Sequence, residues 1–182
     1  MYDLATLRAA IDRGESFEYL LFWGHRQKKA GVPDASCLSQ WFPARFEVDG
    51  ETFHHTEQWM MAGKARLFKD EDVRMQIMAE SDPGKVKKLG RRVKGFSEDA
   101  WVAHRFDLVV AGNHAKFEQN AGYGDYLRST GDKVIVEASP YDRIWGIGLS
   151  REAQEATDPR TWQGDNLLGF ALMVVRDRIR SS

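Results

Sequence analysis

Two stretches hold residues whose types and spacing could do chemistry. The first runs from Thr56 to Lys69 and reads as a helix capped by Thr56. At about 100° per residue, Glu57, Met61, Lys64 and Phe68 fall on one stripe. Trp59, Met60, Ala62 and Leu67 occupy other sides, so the helix is apolar in several directions and is expected to be buried. A carboxylate and an ammonium on such a helix must be paired or face a polar cavity. A solvent-facing stripe on which Glu57 and Lys64 do nothing is the plainer alternative. The second stretch is Glu137–Leu149. It follows Lys133-Val-Ile-Val136, a β-branched run that reads as a buried strand, and the turn signal Ser139-Pro140. Beyond the turn come Asp142, Arg143 and Trp145, then glycines that are expected to loosen the loop. A loop bearing a carboxylate, a cation and an indole fits a binding site. An ordinary connector whose Trp packs in the core fits equally.

Other chemistries find no support. There is no Walker-type phosphate loop and no G-x-G-x-x-G after a strand. One cysteine, Cys37, rules out a Cys-pair zinc site; as a thiol nucleophile it competes with its reading as a small buried hydrophobe. His54 and His55 are adjacent, so on a strand they point to opposite faces, and His25, His104 and His114 show no ligand spacing. Neither a metal nor a cofactor is expected. What remains is a scatter of polar groups among aromatics: Ser39, Glu57, Lys64, Arg91, Asp142 and Asn166. Spacing does not establish that they meet.

The bulk properties are those of an ordinary soluble globular protein. The chain has 182 residues, 42% hydrophobic and 29% charged, which suits one domain with a substantial core. A net charge of -1 argues against broad nucleic-acid or membrane binding, though a local basic cleft stays open. The lone cysteine favours a reducing compartment. Residues Met1–Arg8 lack the pattern of a secretory signal, and no apolar run is long enough to span a bilayer, so a cytoplasmic protein is expected.

The elements that must position the polar groups follow from local signals. Leu4, Leu7 and Ile11 predict a helix over Asp3–Asp12, ended at Gly14. Tyr19–Trp23 reads as a strand and Gly24–Ser36 as a loop. Asp49-Gly50 predicts a hairpin over Phe46–Phe53. A helix is expected over Asp70–Glu80. Asp82 opens a basic segment (Lys85, Lys87, Lys88, Arg91, Arg92, Lys94) that reads as a solvated face or a source of a phosphate-binding Arg. Ser97-Glu-Asp opens a long helix reaching about Asn120, and one more turn is expected over Gly122–Arg128. Asp158–Asp165 reads as a loop, and a final helix runs from Asn166 to a basic tail.

Taken together, several segments resemble the NADAR family, also called YbiA-like proteins. They are Phe22-Trp-Gly24, Leu38-Ser-Gln-Trp-Phe-Pro43, Thr56-Glu-Gln-Trp-Met-Met-Ala-Gly-Lys-Ala65, Leu89-Gly-Arg-Arg-Val93, Gly112-Asn-His-Ala-Lys-Phe117, the stretch from Glu137 to Gly148, and Trp162-Gln-Gly-Asp-Asn-Leu-Leu-Gly169. They stand in the family's order. The resemblance implies a compact α+β single domain, mostly helical around a small β-sheet, over residues 22–182, with residues 1–21 a short helical extension packed on it. It also implies cleavage of an N-glycosidic bond between ribose C1 and an exocyclic nitrogen. Some family members hydrolyse phosphoribosylamino-pyrimidines of the riboflavin pathway, giving ribose 5-phosphate. Others remove ADP-ribose from modified guanine in DNA.

On that basis Glu57 and Asp142 are the expected catalytic carboxylates. Glu57 activates water or steadies the ribose cation, and Asp142 holds ribose hydroxyls, or the two exchange roles. Lys64 pairs with Glu57 and faces the phosphate or leaving group; Schiff-base attack on the opened sugar is its alternative role. Arg91 binds phosphate. Phe42 and Trp145 flank the base, Ser39 lines the pocket, and Asn166 caps the last helix and bonds the ligand. A small phosphoribosyl or ADP-ribosyl substrate is the expected partner, with no membrane. Near-neutral charge favours the pyrimidine substrate, while Lys85–Lys94 and Arg176–Arg180 keep modified DNA as an alternative. A third reading is a non-catalytic sensor of NAD or ADP-ribose.

Overall fold

The computed structural model describes residues 2–181. In chain order the elements are α1 (Leu4–Asp12), β1 (Tyr19–Phe22), a 3-10 turn (Ala35–Leu38), β2 (Phe46–Val48), β3 (Glu51–Phe53), α2 (Thr56–Leu67), α3 (Glu71–Met78), α4 (Pro83–Gly90), α5 (Glu98–Gln119), α6 (Ala121–Ser129), β4 (Val134–Glu137), a second 3-10 turn (Gln154–Thr157) and α7 (Leu167–Ser181). Among the described residues no helix is long and apolar enough to cross a membrane. The described residues are mostly helical, and their small β-structure is divided between two two-stranded sheets, β1–β4 and β2–β3. The chain folds as two compact units, one formed by the segments up to Ser39 and from Gly122 onward, the other by Gln40–Ala121.

In the first unit β1 and β4 run parallel, with Tyr19 opposite Val134 and Phe22 opposite Glu137. Val134, Ile135 and Val136 are all buried, as the unbroken β-branched run requires of a parallel strand covered on its faces. The covering helix is α7, whose Leu168, Phe170, Ala171 and Leu172 are fully buried. Arg176 on α7 is also buried; its Nη1 donates to Thr130 Oγ1 at 3.1 Å and to Lys133 O at 2.7 Å, which fixes the chain where it enters β4. At the other end of the sequence, Asp3 caps α1 by accepting from Thr6 N, Leu7 is buried, and Arg8 donates to the carbonyls of Pro159 and Trp162.

The second unit begins with the β2–β3 hairpin. Asp49 (φ 52°) and Gly50 (φ 77°) both take positive φ, the pair of left-handed conformations that a two-residue I′ turn needs. The hairpin stacks Phe46 on Phe53, and Trp59 of α2 meets Phe53 edge-on at 5.1 Å. Helix α2 is the buried centre, packed on α3, α4 and α5. The neighbouring helices approach it through glycines. A Cβ at Gly112 of α5 would run into the Trp59 indole, and one at Gly90 of α4 into the Met61 sulfur. Trp59 Nε1 donates to Leu108 O at 2.7 Å across the same contact.

The start of α2 differs from the expectation. The cap is His55, still extended at φ −164°, ψ 162°, whose Nδ1 accepts from Gln58 N at 3.0 Å. Thr56 is already helical, and its Oγ1 donates to Gln40 O at 3.2 Å. The strand-like residue ahead of the helix takes the capping bond, and the hydroxyl is spent on a tertiary contact.

Candidate active site

In the second unit the site is built around the first turn of α2. Glu57 is 3% exposed, and its backbone N–H donates to Gln40 O at 3.0 Å, the same carbonyl that receives Thr56. A carboxylate there lies at the positive end of the helix dipole. Gln40 is fixed in turn, because Asn113 Nδ2 donates to Gln40 Oε1 and to Val109 O, both at 2.9 Å. One turn further along α5 is Lys116, fully buried, its ammonium 5.0 Å from the Phe117 ring and 5.6 Å from that of Phe42. Phe42 is itself buried.

Lys116 and Asn113 are the members of this cluster that sequence reasoning missed. The signal was present: Val109, Asn113, Lys116 and Phe117 follow an i, i+4, i+7, i+8 pattern, so both polar groups lie on the inward stripe of α5. His55 completes the surroundings of the helix start. Burial pushes its ring down from 6.5 to about 4, against an opposing bond to Ser81. Nδ1 accepts the capping N–H, so Nε2 carries the proton and donates to Ser81 O at 3.1 Å.

Lys64 takes a course that the stripe argument did not foresee. In place of the expected pairing with Glu57, its Nζ donates to Gly90 O at 3.0 Å and lies 4.3 Å from the Phe96 ring centre and 5.8 Å from that of Trp101. Seven residues of helix separate Glu57 from Lys64 by about 10 Å along the axis. The carbonyl end of α4 is a nearer negative pole. Desolvation lowers the proton affinity of Lys64, with the charge of Glu98 opposing it. Arg91 follows α4 directly and is exposed at the surface.

The first unit carries the rest of the expected residues. Ser39 is buried just after the 3-10 turn. Asp142 Oδ1 accepts from Ile144 N at 2.9 Å and from Trp145 N at 2.7 Å, so the carboxylate shapes its own loop as an Asx turn. The loop is tied rather than loose: Ile147 N donates to Glu137 O and Gly148 N to Asp142 O. Its glycines admit close neighbours, since a Cβ at Gly146 would stand 2.8 Å from Glu137 O. Trp145 is half-buried.

Asn166 differs most from its expected role. It is fully buried at φ 55°, its Oδ1 accepts from Glu137 N at 3.0 Å, and its Nδ2 donates to Ile135 O at 2.9 Å. Its side-chain bonds run to β4 rather than to the N–H groups of the first turn of α7. The helix start is satisfied by the loop instead, because Asn166 N donates to Gly146 O, Leu167 N to Ile144 O and Leu168 N to Trp145 O. Loop and α7 therefore fold as one hydrogen-bonded piece. Among the described residues no group of three or more His, Cys, Asp or Glu is placed to hold a metal ion.

Comparison with known proteins follows the same lines. The solved NMR structure of the Escherichia coli protein YbiA matches with a TM-score of 0.73 and 24% identity, over 92% of this chain and 88% of that one. The fold is thus α+β of the YbiA type. Residues 21–180 match the NADAR domain, and the chain belongs to the NADAR family. An N-glycosidase of Acanthamoeba polyphaga mimivirus is 44% identical over 168 residues, 90% of this chain and 97% of that protein. A chloroplastic riboflavin biosynthesis protein of Zea mays is 32% identical over 112 residues, 59% of this chain but 16% of the maize protein.

Proposed function

We propose that this hydrolase of N-glycosyl compounds cleaves the bond between ribose C1 and the exocyclic nitrogen of a phosphoribosylamino-pyrimidine, releasing ribose 5-phosphate and the free amino-pyrimidine. The observation that carries the reading is Glu57, a carboxylate only 3% exposed at the head of a buried helix. The kinship with a viral N-glycosidase supports the bond type, and the more distant kinship with a maize riboflavin biosynthesis protein supports the pyrimidine.

The reaction needs few parts. As the C1–N bond breaks, positive charge spreads over the ribose ring and its oxygen, and a carboxylate beside it lowers the barrier. Glu57 fills that role and takes the proton from the attacking water. The water oxygen bonds C1 as the C1–N bond breaks, and the proton taken by Glu57 passes on to the departing nitrogen, directly or through solvent. Asp142 has one oxygen in its own loop; the other holds ribose hydroxyls. Lys64 supplies positive charge toward the phosphate or the leaving nitrogen from its seat on Gly90 O. The exposed guanidinium of Arg91 offers the planar fork that suits a phosphate.

The test is a pair of assays on the purified protein. One offers the phosphoribosylamino-pyrimidine and the other an oligonucleotide carrying ADP-ribosylated guanine. Release of ribose 5-phosphate from the first, with the second untouched, is expected. Turnover of the oligonucleotide alone overturns the pyrimidine assignment in favour of an ADP-ribosyl-guanine hydrolase.

A further inference from the structure

A flat base calls for a flat, accessible partner, and Phe42 is a poor one. Its ring is 2% exposed and the ammonium of Lys116 lies 5.6 Å from its centre. The first unit holds a different pair. Trp23 is 49% exposed and Tyr141 is 86% exposed, and their rings lie 6.3 Å apart at 50°, forming an open corner. Ile144, from the same loop as Tyr141, is exposed as well. Single exposed aromatics are common, but two exposed rings 6.3 Å apart are an apolar feature that folding alone does not account for.

The patch has a defined place in the fold. β1 and β4 are parallel and end opposite each other, with Phe22 beside Glu137, and Ala138 N donates to Phe22 O at 2.9 Å to hold the two exits together. Trp23 is the first residue beyond β1, and Tyr141 leaves the β4 side next to Asp142. Both residues follow the carboxyl ends of the paired strands, the side on which ligands collect in the larger open α/β sheets. The backbone that presents Tyr141 is fixed by Pro140 before it and by its own N–H, which lies 3.4 Å from Ser139 Oγ.

We propose that Trp23 and Tyr141 form the stacking surface for the base of the substrate, next to the carboxylate that holds the ribose. This rests on the reaction proposed above. Stacking on a ring is tolerant of which heterocycle is present, so the two residues set affinity for a flat leaving group.

The test is steady-state kinetics of Trp23→Ala and Tyr141→Ala on the phosphoribosylamino-pyrimidine. Both side chains are exposed, so the fold should be retained, which thermal melts check. Each variant should raise KM roughly 5- to 100-fold with kcat little changed. Tyr141→Phe, which keeps the ring, should retain the native KM, whereas Tyr141→Leu, which keeps apolar bulk without it, should not. Native KM in both alanine variants overturns the stacking surface and leaves the reaction standing. If the native protein does not turn over this compound, the proposed reaction fails by itself. The surface is then read by titrating guanosine 5′-monophosphate against tryptophan fluorescence. Weaker binding by Tyr141→Ala supports it, and equal binding, or none by either protein, overturns it.

Discussion

The side-chain amide of Asn166 donates to the backbone carbonyl of Ile135 at 2.9 Å, so a residue ahead of α7 serves as a partner to the strand that α7 covers. The same side chain accepts from Glu137 N, so it bonds β4 as a neighbouring strand would. Its φ of 55° is a left-handed conformation that Asn tolerates better than most residues. Asn166→Ala would leave Ile135 O and Glu137 N without these partners, at about 1–3 kcal/mol each. We expect a stability loss of roughly 2–5 kcal/mol in urea unfolding. Asn166→Asp should also be strongly destabilised, because it sets an oxygen against Ile135 O. A loss below about 1 kcal/mol for both would show that the bonds matter little.

Local signals made much of the fold legible. Helix α1 forms within the span that its leucines marked, Ser97 caps α5 where the sequence placed it, and Asp49-Gly50 makes its hairpin turn. Each is a short-range effect needing only neighbours in the chain. The parallel pairing of β1 with β4 was not legible, because more than a hundred residues separate strands that meet only in the folded chain. His55 was overlooked as a cap beside Thr56, since hydroxyls and carboxylates lead at that position. Within the candidate site, helical periodicity located the buried Glu57 but mispaired Lys64, whose carbonyl partner is brought in by α4. Lys116 escaped notice because a lysine is read as surface by default.

Gly112 lets α5 close on α2, and a methyl group there would collide with the Trp59 indole that donates to Leu108 O. Gly112→Ala should therefore lose roughly 1–3 kcal/mol through overpacking, against the small gain that alanine normally brings to a helix. Chemical denaturation decides the sign. A stabilised variant would mean that α5 shifts away from Trp59 without cost.

His55 gives the fold a defined acid sensitivity. Burial holds its folded value at about 4, against 6.5 for the unfolded chain. Between these values the unfolded chain binds a proton that the folded chain refuses. The neutral ring's contribution is therefore complete above pH 6.5 and is lost as pH falls through that window. The unfolded side alone accounts for about 1.4 kcal/mol at pH 5.5, and the full gap for roughly 3 kcal/mol. His55→Asn keeps a capping oxygen but does not titrate. Urea unfolding at pH 7.5 and 5.5 should show a smaller acid loss in that variant than in the native protein. Equal losses would place the sensitivity elsewhere.

Glu57 offers the most direct test of the chemistry. Glu57→Gln keeps the size of the side chain and the backbone bond to Gln40 O, so α2 should still start as it does. It removes the negative charge that the proposed reaction sets beside the ribose cation and the attacking water. We expect kcat to fall by about 10²–10⁴-fold, with KM within roughly threefold, the pattern of a group acting in the transition state rather than in binding. Lys64→Met should act differently. It retains the apolar stem against Phe96 but removes the ammonium from Gly90 O, so a rise in KM is expected if Lys64 faces the phosphate. A fall in kcat without one points to the leaving nitrogen. An unchanged rate in Glu57→Gln would take Glu57 out of the catalytic role and leave Asp142 as the carboxylate that acts on water.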